Sequence, residues 1–117
     1  FVYLEDLDCS YRARLAGGRS WYAAEARAFH RGGGVSEQAK AERLFYSTSS
    51  RLLYAFKHFR RWEAATLLLV TVALEPVVRV CSSLAAGSPG AAAAAARAYG
   101  MLYRSLPRVT RGMRIHE

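Results

Sequence analysis

Trp62-Glu-Ala-Ala-Thr-Leu-Leu-Leu-Val-Thr-Val-Ala-Leu-Glu75-Pro76-Val-Val-Arg79-Val-Cys81-Ser-Ser-Leu-Ala-Ala86 is the most apolar stretch of the chain, and its reading decides the fold class. Its longest uncharged run, Ala64 to Leu74, is short of the about 20 mostly apolar residues that a spanning helix needs. It therefore reads as a core or membrane-surface helix, kinked near Pro76, rather than a spanning one. Gly87-Ser-Pro-Gly90 then breaks the chain, and Ala91 to Leu106 resumes in strong helix formers. Two apolar helices joined by a Gly/Pro break predict an αα-hairpin. After Pro107, the residues Arg108, Arg111 and Arg114 alternate with Val109, Met113 and Ile115, a pattern suited to an anionic surface.

Composition bounds the rest. With 117 residues, 52% of them hydrophobic and 22% charged, the chain has room for one core and is too apolar to be disordered. Lys and Arg number 17 against 9 Asp and Glu, a formal charge of +8, which points to phosphate groups or an anionic membrane surface. Cys9 and Cys81 sit in no CxxC or Cys/His spacing, so neither a disulfide framework nor a zinc site is expected, and reduced thiols suit a cytoplasmic setting. The opening Phe-Val-Tyr-Leu-Glu-Asp-Leu-Asp has neither the basic start nor the apolar stretch of a signal peptide.

Ahead of the hairpin, charge is unevenly spread. Phe1 to Cys9 carries Glu5, Asp6 and Asp8 and no base, whereas Ser10 to Arg61 carries eleven Lys or Arg against three Glu. Asp8 or Ser10 can cap a helix that Gly17-Gly18 ends at positive φ. Ser20 to His30, aromatic at both ends with Ala24, Ala26 and Ala28 between, reads as extended structure interrupted by a turn. Arg31-Gly-Gly-Gly-Val-Ser36 must be a loop. From Ser36 or Glu37 a basic amphipathic helix is expected, with Phe45, Leu52, Phe56 and Phe59 on one face and Arg43, Tyr54, His58 and Arg61 on another.

Three features could carry chemistry. Neighbouring carboxylates such as Glu5 and Asp6 can divide roles and leave a general base, although the same residues serve equally as an N-cap and dipole complement. His30, beside the glycine loop, is either a metal or phosphate contact or a structural imidazole. Phe45, Tyr46, Tyr54, Phe56 and Trp62, interleaved with Arg51, Lys57, Arg60 and Arg61, also fit a basic nucleic-acid-binding helical domain, but no helix-turn-helix, RNP-type or zinc-finger pattern accompanies them.

The order of these parts carries a resemblance. Glu5-Asp6-Leu7-Asp8-Cys-Ser-Tyr-Arg12-Ala-Arg14-Leu-Ala-Gly17-Gly18, followed by Trp21-Tyr22, Ala26-Arg27, His30 and Gly32-Gly33, resembles the second half of the catalytic domain of bacterial family-two glycosyltransferases, rhamnosyltransferase-like members above all. The family's pattern is E-D-x-D-hydrophobic-x-x-R, a Gly turn, an aromatic strand, A-R-V-x-H and a Gly/Ser loop. Ser50-Arg51-Leu52-Leu53-Tyr54 and Lys57-His58-Phe59 are similar to its R-N-x-x-Y and K-H-F/Y elements.

The resemblance implies a fold that is mainly α with a short β segment: residues 1–61 as the C-terminal part of a GT-A type α/β catalytic domain, followed by a helical region, 62–117; by its own residues that region reads as making membrane-surface contact, or alternatively as a noncatalytic membrane-surface or oligomerisation module. The resemblance also implies an inverting transfer of a sugar, rhamnose as the best match, from a nucleotide-diphosphate sugar to a hydroxyl of a glycan or lipid-linked acceptor in cell-envelope polysaccharide synthesis. Asp6 would be the general base and Glu5 its support. His30 would help hold a divalent Mn or Mg, and Gly32, Gly33, Gly34, Ser36 and Arg43 would lie against the diphosphate. The nucleotide-binding half, with its D-x-D motif, is expected upstream, so these residues hold half an active site. The implied location is cytoplasmic, at the inner face of the membrane.

Overall fold

The computed structural model describes residues 3–29 and 39–113, with side chains through Pro107. It is mainly α. Helix α1 is Glu5–Leu15, α2 is Lys40–His58, α3 is Arg61–Leu69, α4 is Glu75–Ala85 and α5 is Pro89–Met113, with a single π-helical turn, Val70–Leu74, joining α3 to α4. His30, Gly32, Gly33, Gly34 and Ser36 lie outside the described residues.

Among the described residues there is no strand, which corrects the expected short β segment. Residues 18–29 run without regular structure apart from a turn at Ala24-Glu25. A strand needs a neighbour for its backbone groups and a surface for its side chains. This segment has neither, and Trp21, Tyr22 and Phe29 are 84, 93 and 95% exposed.

The hairpin forms as expected. Gly87 at φ 67 turns the chain out of α4, because only glycine takes that conformation without a Cβ clash, and Pro89 opens α5 with a φ already set for a helix. Helix α2 packs along α5, and α3–α4 closes over both. Leu52, Tyr99 and Leu102 are buried together, flanked by Leu44, Phe45, Leu67, Leu68, Val72 and Leu106. A second, thinner cluster of Ala41, Ala94 and Ala98 sits beside Leu44 and Met101. The boundary expected after residue 61 falls in the first turn of α3, and this core is shared across it.

Pro76 leaves its mark one turn earlier. A proline has no N–H and its ring crowds the carbonyl four residues back, here that of Val72. The chain widens into the π turn, in which the Glu75 N–H reaches the Val70 carbonyl. The Val72 carbonyl, deprived of its α-helical donor, accepts the Tyr103 hydroxyl of α5 at 2.6 Å.

A polar clamp crosses the bundle beside this turn. Arg51 on α2 donates to the wholly buried Thr71 Oγ1 at 3.0 Å and to the Glu75 carboxylate. Arg79, one turn on, donates to Glu75 Oε1 at 2.9 Å. Burial works to raise the Glu75 pKa, but the hydrogen bonds from Arg51 and Arg79 outweigh it and hold the carboxyl below its usual range. Burial pushes the nearby Tyr99 phenol up to about 12, with the Glu75 charge adding to it.

Tyr103→Phe should destabilise the bundle by up to about 1 kcal/mol, since the bond it removes is exposed to water. Leu102→Ala should cost about 2–5 kcal/mol through the cavity it leaves. Urea unfolding followed by circular dichroism separates the two; equal costs would show that the Val72 carbonyl depends on Tyr103 far more than an exposed bond allows.

Candidate functional site

The acidic opening and the end of α2 meet, although they are 50 residues apart. Helix α1 starts earlier than the sequence suggests. Leu4, at φ 67, leads into it in the left-handed region, a conformation that costs a branched residue about 1–3 kcal/mol. With Glu5 as the first helical residue, Asp8 falls on the side facing α2 rather than at the cap. Gly17, at φ 83, ends the helix as expected, its N–H bonded to the Arg14 carbonyl.

Asp8 is buried, 7% exposed, where nearly every other residue of α1 is open to solvent. Its Oδ1 lies 2.5 Å from His58 Nε2, and Lys57 Nζ donates to the carboxylate at 2.8 Å. The His58 ring is enclosed by Tyr11 of α1, edge-on at 4.6 Å, and by Tyr54 of α2, tilted at 4.6 Å. Tyr54 also meets Phe59 edge-on at 6.1 Å. The N–H of Tyr3 reaches Ser50 Oγ at 3.4 Å. Helix α1 contributes no residue to either apolar cluster, so this polar and aromatic joint is its attachment to the bundle among the described residues.

The hydrogen bond from Lys57, then that from His58, holds the Asp8 carboxyl below the usual carboxylate range. The group is stabilised in its charged form by partners that exist only when the chain is folded.

Glu5 and Asp6 stand exposed at the start of α1, with Asp6 Oδ1 accepting the N–H of Leu7 at 2.9 Å. Arg43 is exposed in the first turns of α2. Beside the joint, an open groove of about 610 Å3 runs between α1 and Tyr54, lined by Ser10, Tyr11, Arg14 and Arg19, with the Arg14 guanidinium 5.7 Å from the Tyr11 ring centre. Its two arginines and two phenols suit a ligand that is both anionic and flat-faced.

His58, assigned by helical spacing to the polar face, is instead the centre of the joint. The signal was present in the Lys57-His58-Phe59 element, but spacing along α2 cannot tell that an acidic side chain from a distant helix covers that face. Of the aromatics that suggested base stacking, Phe45 is packed beside the core and Tyr54 on His58.

No group of three His, Cys, Asp or Glu side chains that could hold a metal ion occurs among the described residues, and both Asp8 oxygens are engaged by Lys57 and His58. The described residues therefore do not assemble a metal site by themselves. Cys9 and Cys81 are free thiols. Searches against family models, curated proteins and solved structures match nothing to this chain.

The depressed Asp8 pKa sets the pH dependence of the joint. Its contribution is fully present above about pH 4, the unfolded carboxylate value, and is lost as pH falls through the lower folded value. Ring-to-ring NMR contacts between Tyr11 and His58 should persist from neutral pH to about pH 4 and disappear below it. In Asp8→Asn they should already be weak at neutral pH; unchanged contacts in that variant would remove the carboxylate as the anchor.

Proposed function

We propose that the chain is the C-terminal part of an inverting, family-two-like glycosyltransferase, which moves a sugar from a nucleotide-diphosphate donor to a hydroxyl acceptor in cell-envelope polysaccharide synthesis. One observation carries the reading. The two elements that resemble the family's E-D-x-D and K-H-F/Y motifs, remote in sequence, meet through Asp8 and Lys57-His58. The fourth residue of the acidic motif thus has different work from the first two: Asp8 is spent on anchoring, and Glu5 and Asp6 stay accessible on a helix start fixed by that anchor.

In this reading Asp6 accepts the proton of the acceptor hydroxyl as the oxygen attacks the anomeric carbon and the nucleoside diphosphate leaves, while Glu5 supports its charge balance. Arg14 and Arg19, lining the groove beside α1, supply cations for an anionic partner. A divalent Mn or Mg would neutralise the leaving diphosphate. Its ligand by resemblance is His30, with the remaining ligands expected from the nucleotide-binding half. The bare aromatics Trp21, Tyr22 and Phe29 support the same reading, because an apolar segment this exposed is suited to packing against a neighbouring part of a larger domain.

The 117-residue chain alone should neither transfer sugar nor hydrolyse a dTDP, UDP or GDP sugar. In a polypeptide that also carries a nucleotide-binding half, transfer should be measurable, and Asp6→Asn should lower kcat by about 100-fold or more. Turnover by the chain alone would overturn the half-site, and an Asp6→Asn variant as fast as the parent would overturn the assignment of the base.

A further inference from the structure

Helices α3 and α4, with the π turn between them, form one helical run of 25 residues, Arg61–Ala85, whose most apolar window has a mean hydropathy of 1.8 and is only 11% buried. The run is apolar on two sides: Ala64, Leu67, Leu68 and Val72 face the core, and a second apolar face is left bare. Thr71 and Glu75 are turned toward α2 and bonded to Arg51, and Arg79 is bonded to Glu75 on its own helix, while Trp62, Leu69, Val70, Leu74, Val77 and Val78 point away from the bundle and are 41–64% exposed. A surface helix in water has a polar outer face instead. The bare face extends from Trp62 to Leu84, about 33 Å at the helical rise. At its N-terminal end lies an open groove of about 610 Å3 walled by Phe59, Trp62, Glu63, Thr66, Leu67 and Val70.

We infer that this face lies in the plane of an anionic phospholipid membrane, with α3–α4 sunk into the boundary between headgroups and acyl chains. Charge selects the occupant. From Ala64 to Leu106 the one acidic residue is Glu75, and its carboxylate is taken by Arg51 and Arg79. Glu63, at the start of the face, accepts the Arg60 N–H at 3.0 Å, and the exposed cations Arg60, Arg97 and Arg104 leave an excess of positive charge. A second copy of the chain would cover the apolar surface only by bringing like charges together, whereas anionic headgroups answer both the apolar face and its basic surround. Trp62 sits where an amphipathic ring favours the headgroup level.

The packing also decides between lying on the membrane and crossing it. Helix α2 runs alongside α5 and meets α3, and it carries charge along its length: Lys40, Glu42 and Arg43 exposed near one end, Arg51 bonded to Glu75 in the middle and Lys57 bonded to Asp8 near the other. Crossing would draw that charge into hydrocarbon, so the bundle lies flat with α2 toward water. The lipid contact thus falls on α3–α4 itself, ahead of the arginines that follow Pro107. Through Phe59 and Tyr54 the face adjoins the His58 joint.

The test uses the whole chain and vesicles of phosphatidylglycerol and phosphatidylcholine in equal parts. The chain should float with them, less as salt rises, and hardly at all with phosphatidylcholine alone. In a Trp21→Phe background, the Trp62 emission should shift to the blue on adding vesicles. Leu69→Glu with Val77→Glu, both at exposed positions and so expected to leave the helical spectrum and melting unchanged, should weaken flotation by about tenfold or more. Undiminished flotation of this variant, or an unshifted Trp62, would overturn the assignment. So would a wild-type chain that stays with the aqueous phase and sediments as a dimer that the two glutamates dissociate, because the face would then belong to a second copy. Flotation needs no sugar nucleotide, so its outcome is independent of the transferase reading.

Discussion

The orientation of the central helix is governed by Glu75. Its carboxylate has to be matched by cations once it faces the bundle, and Arg51 from α2 and Arg79 from its own helix supply them. With that residue turned inward, the helical period turns Leu74, Val77 and Val78 outward. Hydrophobicity alone leaves the choice open, because the run has apolar residues on the core side, Leu67, Leu68 and Val72, as well as on the bare side. The clamp therefore specifies which face is bare, and the apolar cluster around Leu52 and Leu102 forms on the side it leaves. Pro76, next in sequence, reinforces the choice. The π turn it induces frees the Val72 carbonyl toward α5, where Tyr103 meets it.

The N-terminal helix is held by a different economy of forces. It shares no apolar core with the bundle, and its position follows from one buried carboxylate and two aromatic rings around His58. A joint of this kind is geometrically demanding, because hydrogen bonds fail over a few tenths of an ångström while apolar contacts slide. It suits a helix whose exposed start must be placed accurately, which is the role that the transferase reading gives to Glu5 and Asp6. The strained entry at Leu4 belongs to the same arrangement.

Much of the helical architecture was legible in the sequence. Gly17 and Gly87 stop helices where positive φ is needed, and the hairpin follows from the break at Gly87-Ser-Pro-Gly90. Three things were not legible. Alternating alanines between Trp21 and Phe29 imitate a strand, but alanine is too small to hold one without a partner. The pairing of Asp8 with His58 is a tertiary contact that no local period encodes. The rotation of α3–α4 depends on Arg51 reaching Thr71 and Glu75 across the bundle, which makes Thr71, a polar residue within the apolar run, a bonded part of the clamp. Of the candidate site, the acidic cluster was legible in the sequence, whereas the anchoring of Asp8 became visible only in three dimensions.

The alanine run of α5 looks like the least informative part of the chain, yet Ala92, Ala94, Ala95 and Ala98 are all buried. Single-carbon side chains let helix axes approach to the short end of the usual separation of about 8–10 Å. The guanidinium of Arg51 has a fixed reach, and it spans from α2 to the turn before α4 only while α5 keeps both neighbours close. The monotonous segment thus acts as a gauge: its lack of bulk sets the distance at which a charge on one helix can still find its counterpart on another.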